Sequence, residues 1–221
     1  MKLKGIKWVF FDLGNTLINE DNFVRYQIDL IHRLSTETGK PMKKEEIIRH
    51  IENSVKDYSP KIVNHVIRLI SRTDEEYQDF IDLTRYRHEF EEIYPDAKET
   101  LGKLFDKFKL GIIANQKIGT EKRLENFGIR DYFSLCLSSS EIGLRKPDLQ
   151  IFELALKKAK CESSEAVMIG DRLENDIYPA KKTGMKTIRI LRGLSKIQIP
   201  ISKDYEADYT IRELAELFSI L

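Results

Sequence analysis

Cysteine is scarce in this 221-residue chain. There are two, Cys136 and Cys161, far apart and with no CxxC pair. That excludes a disulfide framework and a cysteine-rich zinc site, and fits a reducing compartment. Charge of one sign is not in excess either: 37 basic residues face 36 acidic ones, for a net +1. No nucleic-acid-binding or membrane-surface stretch is implied; the lysines and acids alternate as on solvated helix faces. Long hydrophobic runs are missing too. The opening MKLKGIKWVFF has a basic flank but only a short apolar run, without the apolar core and small-residue cleavage site of a signal peptide. No run approaches the length of a membrane span. The expectation is a cytoplasmic, soluble protein of one large domain or two unequal ones, acting as a monomer or homodimer.

Apolar periodicity is what the chain does have, and it is of two kinds. From about Asn22 to Phe90 it is helical: Phe23, Tyr26, Leu30, Ile31 and Leu34 share a face, as do Ile47, Ile48, Ile51 and Val55. Two more such stripes, Ile62–Ile70 and Tyr77–Thr84, complete a run of about four helices. Thr73 with Glu76 predicts a capping box opening the last. On either side, short apolar runs alternate with helical segments. The runs Ile6–Phe11, Leu110–Ala114, Leu135–Leu137, Ala166–Ile169 and Thr187–Leu191 read as buried parallel strands. The helices between them are placed near Asp96–Phe108, Thr120–Phe127, Leu149–Lys160 and Asn175–Thr183. This alternation predicts an α/β fold, a doubly wound parallel sheet of Rossmann-like type with a helical insertion after its first strand. The expected division is a core of residues 1–17 and 93–221 and a helical domain of residues 18–92.

Ligands of such sheets gather at the carboxyl ends of the strands. Asp12 ends the first run, the second ends in ANQK (114–117), and GDRLENDI (170–177) ends the fourth. Taken singly, Asp12 is also compatible with a surface turn, and Asp176 with a helix-start acid. Brought together, Asp12, Asp171 and Asp176 form a hard-oxygen cluster suited to Mg²⁺. A carboxylate there is able to act as a nucleophile, and Lys146, fixed by Pro147, supplies a positive charge. The four histidines, His32, His50, His65 and His88, all lie in the insertion at spacings unlike a metal site.

The segments FFDLGNTL, GIIANQ, GLRKPDLQIF and MIGDRLENDIYPAKKTGM resemble, in order, the four motifs of the haloacid dehalogenase superfamily. The insertion is similar in placement to the helical cap of the subfamily that carries its cap between motifs one and two. The resemblance implies that Asp12 is the nucleophile and a Mg²⁺ ligand, and that the Gly14 carbonyl is a second ligand. It implies that residue 114 binds the phosphoryl group, that Lys146 orients nucleophile and phosphate, that Asp171 coordinates the metal, and that Asp176 orients the metal or its waters.

Two positions depart from the family pattern. Residue 14 is a glycine where family phosphatases have a second aspartate, which protonates the leaving group and then activates water. Residue 114 is alanine in place of serine or threonine, leaving Asn115 and nearby backbone amides to meet the phosphate. The leading expectation is a Mg²⁺-dependent phosphohydrolase of a small phosphorylated metabolite, working through an aspartyl-phosphate on Asp12. A water or a group such as Asn15, Glu20 or Asp21 would replace the missing acid, unless the substrate has a good leaving group. Two alternatives stand beside it: a haloacid dehalogenase-type hydrolase, and a weakened or inactive phosphoryl-ligand or protein-binding module.

Overall fold

The computed structural model describes residues 2–221. They fold into two compact units: one comprises the chain up to Asn19, Ile93–Lys196 and Pro200–Leu221, the other Glu20–Glu92 together with Ile197–Ile199. In chain order the strands are β1 (Trp8–Phe11), β2 (Ile18–Asn19), β3 (Glu92–Ile93), β4 (Lys109–Ala114), β5 (Phe133–Ser138), β6 (Ala166–Gly170), β7 (Lys186–Ile190) and β8 (Tyr209–Ile211). The helices are α1 (Asp21–Glu37), α2 (Lys44–Lys56), α3 (Asn64–Ile70), α4 (Asp74–Leu83), α5 (Ala97–Phe105), α6 (Thr120–Asn126), α7 (Ser139–Ile142), α8 (Leu149–Ala159), α9 (Tyr178–Lys182) and α10 (Leu217–Ile220).

Six strands form one parallel sheet in the order β5-β4-β1-β6-β7-β8. Alternate residues of each strand face opposite sides. Val9, Phe11, Ile112, Val167, Ile169 and Ile188 belong to one apolar layer with Leu101 of α5 and Leu124 of α6. Phe10, Ile113 and Met168 belong to the other, with Ile151, Phe152 and Ala155 of α8 and Ala180 of α9. Both faces are thus covered by helices, which is why the strands read as continuous apolar runs. The chain moves one way from β1 through β4 to β5 and the other way through β6, β7 and β8. The switch point therefore lies at β1, and the carboxyl ends of β1, β4 and β6 converge there.

The Rossmann-like reading holds, with three additions. The edge strand β8 has only three residues, too short for a periodic signal. The two-residue strands β2 and β3 form a separate ladder where the helical segment leaves and rejoins the sheet-bearing part of the chain. The helix expected at Asn175–Thr183 starts as a π-turn, Leu173–Ile177, before α9. The two cysteines are free.

The helical unit packs α1 to α4 through Phe23, Leu30, Ile31, Leu34, Ile47, Ile51, Val55, Val66, Ile67, Ile70 and Phe80. Ile48, expected on that face, is 38% exposed. Half of the expected capping box forms: the Thr73 hydroxyl accepts from the Glu76 amide at 3.1 Å, but the Glu76 carboxylate turns to Arg72. The Tyr86 hydroxyl lies 2.8 Å from both Glu20 Oε1 and Glu91 Oε1. Burial, with both acids beside it, holds the Tyr86 phenol well above its ordinary range and hence neutral.

Gly111 shows how tightly the sheet is packed. It pairs with Phe10 across β1 and β4, and a Cβ there would stand 2.6 Å from the Phe10 ring, which is fully buried. Gly111→Ala is therefore expected to destabilise the protein by about 1–3 kcal/mol through overpacking. Urea unfolding of wild type and variant checks this; an unchanged midpoint would show that the ring has room to move.

Candidate active site

The carboxyl ends of β1 and β6 carry the acids. The Asp12 amide donates to the Ile169 carbonyl at 2.9 Å, so the ladder between the two strands extends to the residue that bears the carboxylate. Beyond it residues 13–18 turn tightly: the Thr16, Leu17 and Ile18 amides all donate to the Leu13 carbonyl, and Asn15 takes the left-handed conformation, φ 52°. Gly14 is not among the left-handed glycines, so the turn does not need glycine there for its backbone angle. On β6, Gly170 has a different reason. A Cβ at that position would stand 2.5 Å from Asp176 Oδ2, so only glycine lets the Asp176 carboxylate fold back over the strand end.

Carboxylate oxygens of Asp12, Asp171 and Asp176 lie within 4.8 Å of one another. Lys146 is buried among them, its Nζ 2.5 Å from Asp12 Oδ1 and 2.5 Å from Asp176 Oδ1. Asp176 Oδ2 also accepts from the Arg172 amide at 3.0 Å. Arg172 itself is paired with Glu174.

Lys146 reaches this place from a loop whose main chain is held on both sides. Asn115, just past β4, accepts from the Lys146 amide with Oδ1 and donates to its carbonyl with Nδ2, both at 2.8 Å. Two residues on, Asp148 caps α8 by accepting from the Gln150 amide at 2.9 Å. The Asn115 side chain, expected at the phosphate, is thus engaged as the lysine's support. Nothing in the spacing of ANQK and RKPD marks that pairing; it appears only when β4 and the 143–148 loop are brought side by side. Ala114, the other expected phosphate-binding position, is fully buried at the end of β4. Ser138, which pairs with Ala114 across β4 and β5, accepts from the Thr120 hydroxyl, and Ser139 accepts from the Gln116 amide.

The charge balance is unfavourable as it stands. Three ionised carboxylates and one ammonium sum to −2 in a buried site. Burial, helped by the Asp176 charge and opposed by Lys146, pushes the Asp12 carboxyl up to about 6. Burial and the two neighbouring acids hold Asp171 well above the usual carboxylate range. For Lys146 burial acts downward, but the two carboxylates outweigh it and keep the ammonium charged. A hard divalent cation fits this donor set: it would cancel the excess charge and meet only oxygen ligands. Among the described residues no other group of acids, histidines or cysteines is placed to hold a metal. The histidines are occupied within the helical unit, His32 on the Met42 carbonyl, His50 against His65 and His88 on Glu91. Burial pushes the Cys136 thiol up to about 12, which removes it as a nucleophile.

Residues that the sequence reading passed over stand in the loop after β7. Arg192 donates to the Thr16 carbonyl at 3.0 Å and to Asp96 at 2.5 Å. Gly193 lies against Asn15, where a Cβ would come within 2.5 Å of Oδ1. Ser195 is buried, and its carbonyl accepts from the Arg189 guanidinium at 2.7 Å. Their one sequence signal is position, at the carboxyl end of a strand beside the switch point.

Comparison with known proteins agrees with this arrangement. Residues 9–190 match the haloacid dehalogenase-like hydrolase family. The chain is 32% identical to the glyceraldehyde 3-phosphate phosphatase of Methanocaldococcus jannaschii, over 98% of this chain and 97% of that protein. Among solved structures it is similar to a phosphatase of the same superfamily from Thermococcus onnurineus, at 27% identity and a TM-score of 0.64, with 97% of each chain covered. It is also similar to a 2-haloacid dehalogenase from Pseudomonas syringae, at 25% identity and a TM-score of 0.61, again with 97% of each covered. A carboxylate at the end of β1, a buried lysine and a paired-acid loop at one switch point, with a family match across most of the length, lead to one conclusion: the chain belongs to the haloacid dehalogenase-like hydrolases.

Proposed function

We propose that this protein is a Mg²⁺-dependent phosphohydrolase of a small phosphorylated metabolite, with a triose phosphate such as glyceraldehyde 3-phosphate as the first substrate to test. The observation that carries the reading is the position of Lys146, bonded to Asp12 and Asp176 inside a three-acid cluster. A dehalogenase has no need of that excess of carboxylates, whereas a divalent metal is held by it and lets an anionic phosphate approach. We assign substrate choice to the helical unit, in the role of a cap.

Asp12, the Gly14 carbonyl and Asp171 would hold the metal, with Asp176 orienting it or its waters. When bound, the ion offsets the repulsion between the nucleophile and an anionic phosphate. Lys146 occupies Asp12 Oδ1, which leaves Oδ2 as the attacking oxygen. Its attack on phosphorus breaks the ester P–O bond and forms an aspartyl-phosphate. Water then attacks the same phosphorus, the bond to Asp12 breaks, and inorganic phosphate leaves with the carboxylate restored. With glycine at 14 the departing oxygen takes its proton from water or from another group. Glu20, one candidate, has its carboxyl bonded to Tyr86 inside the helical unit.

Metal binding is expected to release protons. The folded pKa of Asp12 is about 6, above the ordinary 3.8, and that of Asp171 is also raised. The metal-free native state therefore binds more protons than the unfolded chain. The stabilisation this brings is fully present below about pH 4 and is lost as pH rises through about 6. Calorimetric Mg²⁺ titrations at pH 6 in buffers of different ionisation enthalpy should show release on the order of one proton, and affinity should rise from pH 5 to 7. Asp171→Ala binding Mg²⁺ as well as wild type would rule out the ligand assignment.

Turnover is expected to depend on Asp12: Asp12→Asn should be inactive, folded, and unable to bind beryllofluoride. Full activity in that variant would end the nucleophile assignment.

The two missing groups give a gain-of-function test. Gly14→Asp with Ala114→Thr returns an acid and a phosphate-binding hydroxyl. General acid help is worth roughly 10²–10⁴-fold where leaving-group departure limits the rate. The double variant should therefore gain on alkyl phosphates and gain less on p-nitrophenyl or acyl phosphates. Since Asn15 and not Gly14 carries the positive φ, an aspartate at 14 meets no left-handed backbone penalty. A wild type already fast on glyceraldehyde 3-phosphate would show that another acid serves. No turnover by either protein on phosphates or on a 2-haloacid would favour a binding module.

A further inference from the structure

The turn that follows β1 satisfies much of its own main chain. The Thr16, Leu17 and Ile18 amides donate to the Leu13 carbonyl, and the Asn15 amide donates to the Ile18 carbonyl at 2.7 Å. Two consecutive carbonyls are met instead by donors distant in sequence. The Leu17 carbonyl accepts from the Tyr94 amide, just past β3, at 3.0 Å. The Thr16 carbonyl accepts from Arg192, in the loop after β7, at 3.0 Å. The Thr16 hydroxyl is fully buried and makes no hydrogen bond among the described residues, so the side chain takes no part in this hold.

Arg192 is itself held. Its other terminal nitrogen, Nη2, donates to Asp96 Oδ2 at 2.5 Å, and the same oxygen accepts from the Leu214 amide at 2.8 Å. The guanidinium lies over the Tyr94 ring, 4.0 Å from its centroid. The Arg192 side chain is only 10% exposed. A solvent-exposed arginine–carboxylate pair contributes little and wanders among rotamers. A planar fork with both ends bonded and one face on an aromatic ring does not. One end of this fork is on Asp96, immediately before α5, and the other is on the turn beside Asp12. Thr16, Tyr94, Asp96, Arg192 and Leu214 all belong to the sheet-bearing unit.

We propose that Arg192 is a positioning residue for the active-site turn: anchored on Asp96 and Tyr94, it holds the Thr16 carbonyl and so fixes the backbone between Asp12 and Ile18. The consequence for the metal rests on the Mg²⁺ reading above, in which Asp12 and the Gly14 carbonyl are ligands. A main-chain carbonyl has no rotamer of its own and is aimed only by the peptides beside it. Glycine at 14 offers no side chain to fix that peptide by packing. The aim of its carbonyl therefore depends on how firmly its neighbours are bonded. The hydrogen bond from Arg192 comes from a cation, which is the strong kind, and it falls two residues from Gly14.

The test reads the turn and the metal separately, on the full chain. Arg192→Met removes the fork and keeps most of the side chain's length. Amide hydrogen exchange, followed by NMR without metal, is expected to quicken about 10-fold at Thr16, Leu17 and Ile18 relative to Ile112 and Ile113 of β4, as the loss of a hydrogen bond to a charged group implies. Calorimetry with Mg²⁺ alone is expected to show about 10-fold weaker binding, the lower end for an outer partner of a metal site. Arg192→Lys keeps a charge beside Asp96 without the planar fork. It should show both changes in smaller measure, and it takes the place of Arg192→Met if that variant does not fold. Faster exchange shared equally by the turn and β4 would reveal an ion pair that only stabilises the fold, and would overturn the positioning role. So would turn exchange as slow as in wild type. A loosened turn with wild-type Mg²⁺ affinity would overturn the link from the turn to the metal. A wild type that binds no Mg²⁺ would end the metal reading, while the exchange ratio would still decide whether Arg192 holds the turn.

Discussion

Keeping three carboxylates within 4.8 Å of one another beneath the surface is the constraint around which the rest of the α/β unit is arranged. Like charges in a medium of low polarisability repel by several kcal/mol unless a cation or a set of donors lies between them. Lys146 answers two of the three acids, and it does so because its main chain is gripped by Asn115 and its loop is ended by the Asp148 cap. Asp176 is answered a second time by the Arg172 amide. The excess of negative charge that remains is what a divalent cation would cancel.

The fold serves this cluster through its topology more than through its stability. A parallel sheet whose chain reverses direction at β1 leaves an opening at the carboxyl ends of its middle strands. Asp12, Asn115 and Asp171 leave from β1, β4 and β6, which are neighbours in the sheet although Asp12 and Asp171 are 159 positions apart in sequence. The apolar layers on both faces are continuous, so these strand ends have little freedom to shift. Small residues stand where close approach is needed: Gly111 under the Phe10 ring, Gly170 under the Asp176 carboxylate and Gly193 against Asn15. Each is explained by a neighbour and not by flexibility.

Much of this was legible in the sequence. Buried parallel strands announce themselves as short apolar runs, so β1, β4, β5, β6 and β7 were placed within a few residues, and the four-helix insertion was visible from its 3.6-residue period. Asp12, Lys146, Asp171 and Asp176 stood out because polar residues at strand ends have few structural uses. What was not legible depends on partners distant in sequence. Asn115 reads as a phosphate ligand until its clamp on Lys146 is seen. β8 is three residues long and carries no period. Ser195 and Arg189 look like any surface serine and arginine, since burial of polar groups is a property of the fold and not of the chain.

The same contrast bears on the two departures from the family pattern. Glycine at 14 keeps the main-chain carbonyl and gives up only the side chain, and its backbone is not one that needs glycine. The loss is therefore not a folding necessity of the turn; the turn is built by the Leu13 carbonyl and by Asn15. Alanine at 114 is buried in a dry strand end, so its missing hydroxyl leaves no unsatisfied group behind. Neither change disturbs the charge cluster or its supports. The three acids and Lys146 are thus maintained by their own network, while residues 14 and 114 are separable from it. A site divided in this way can vary at residues 14 and 114 without rebuilding the charge cluster beneath them.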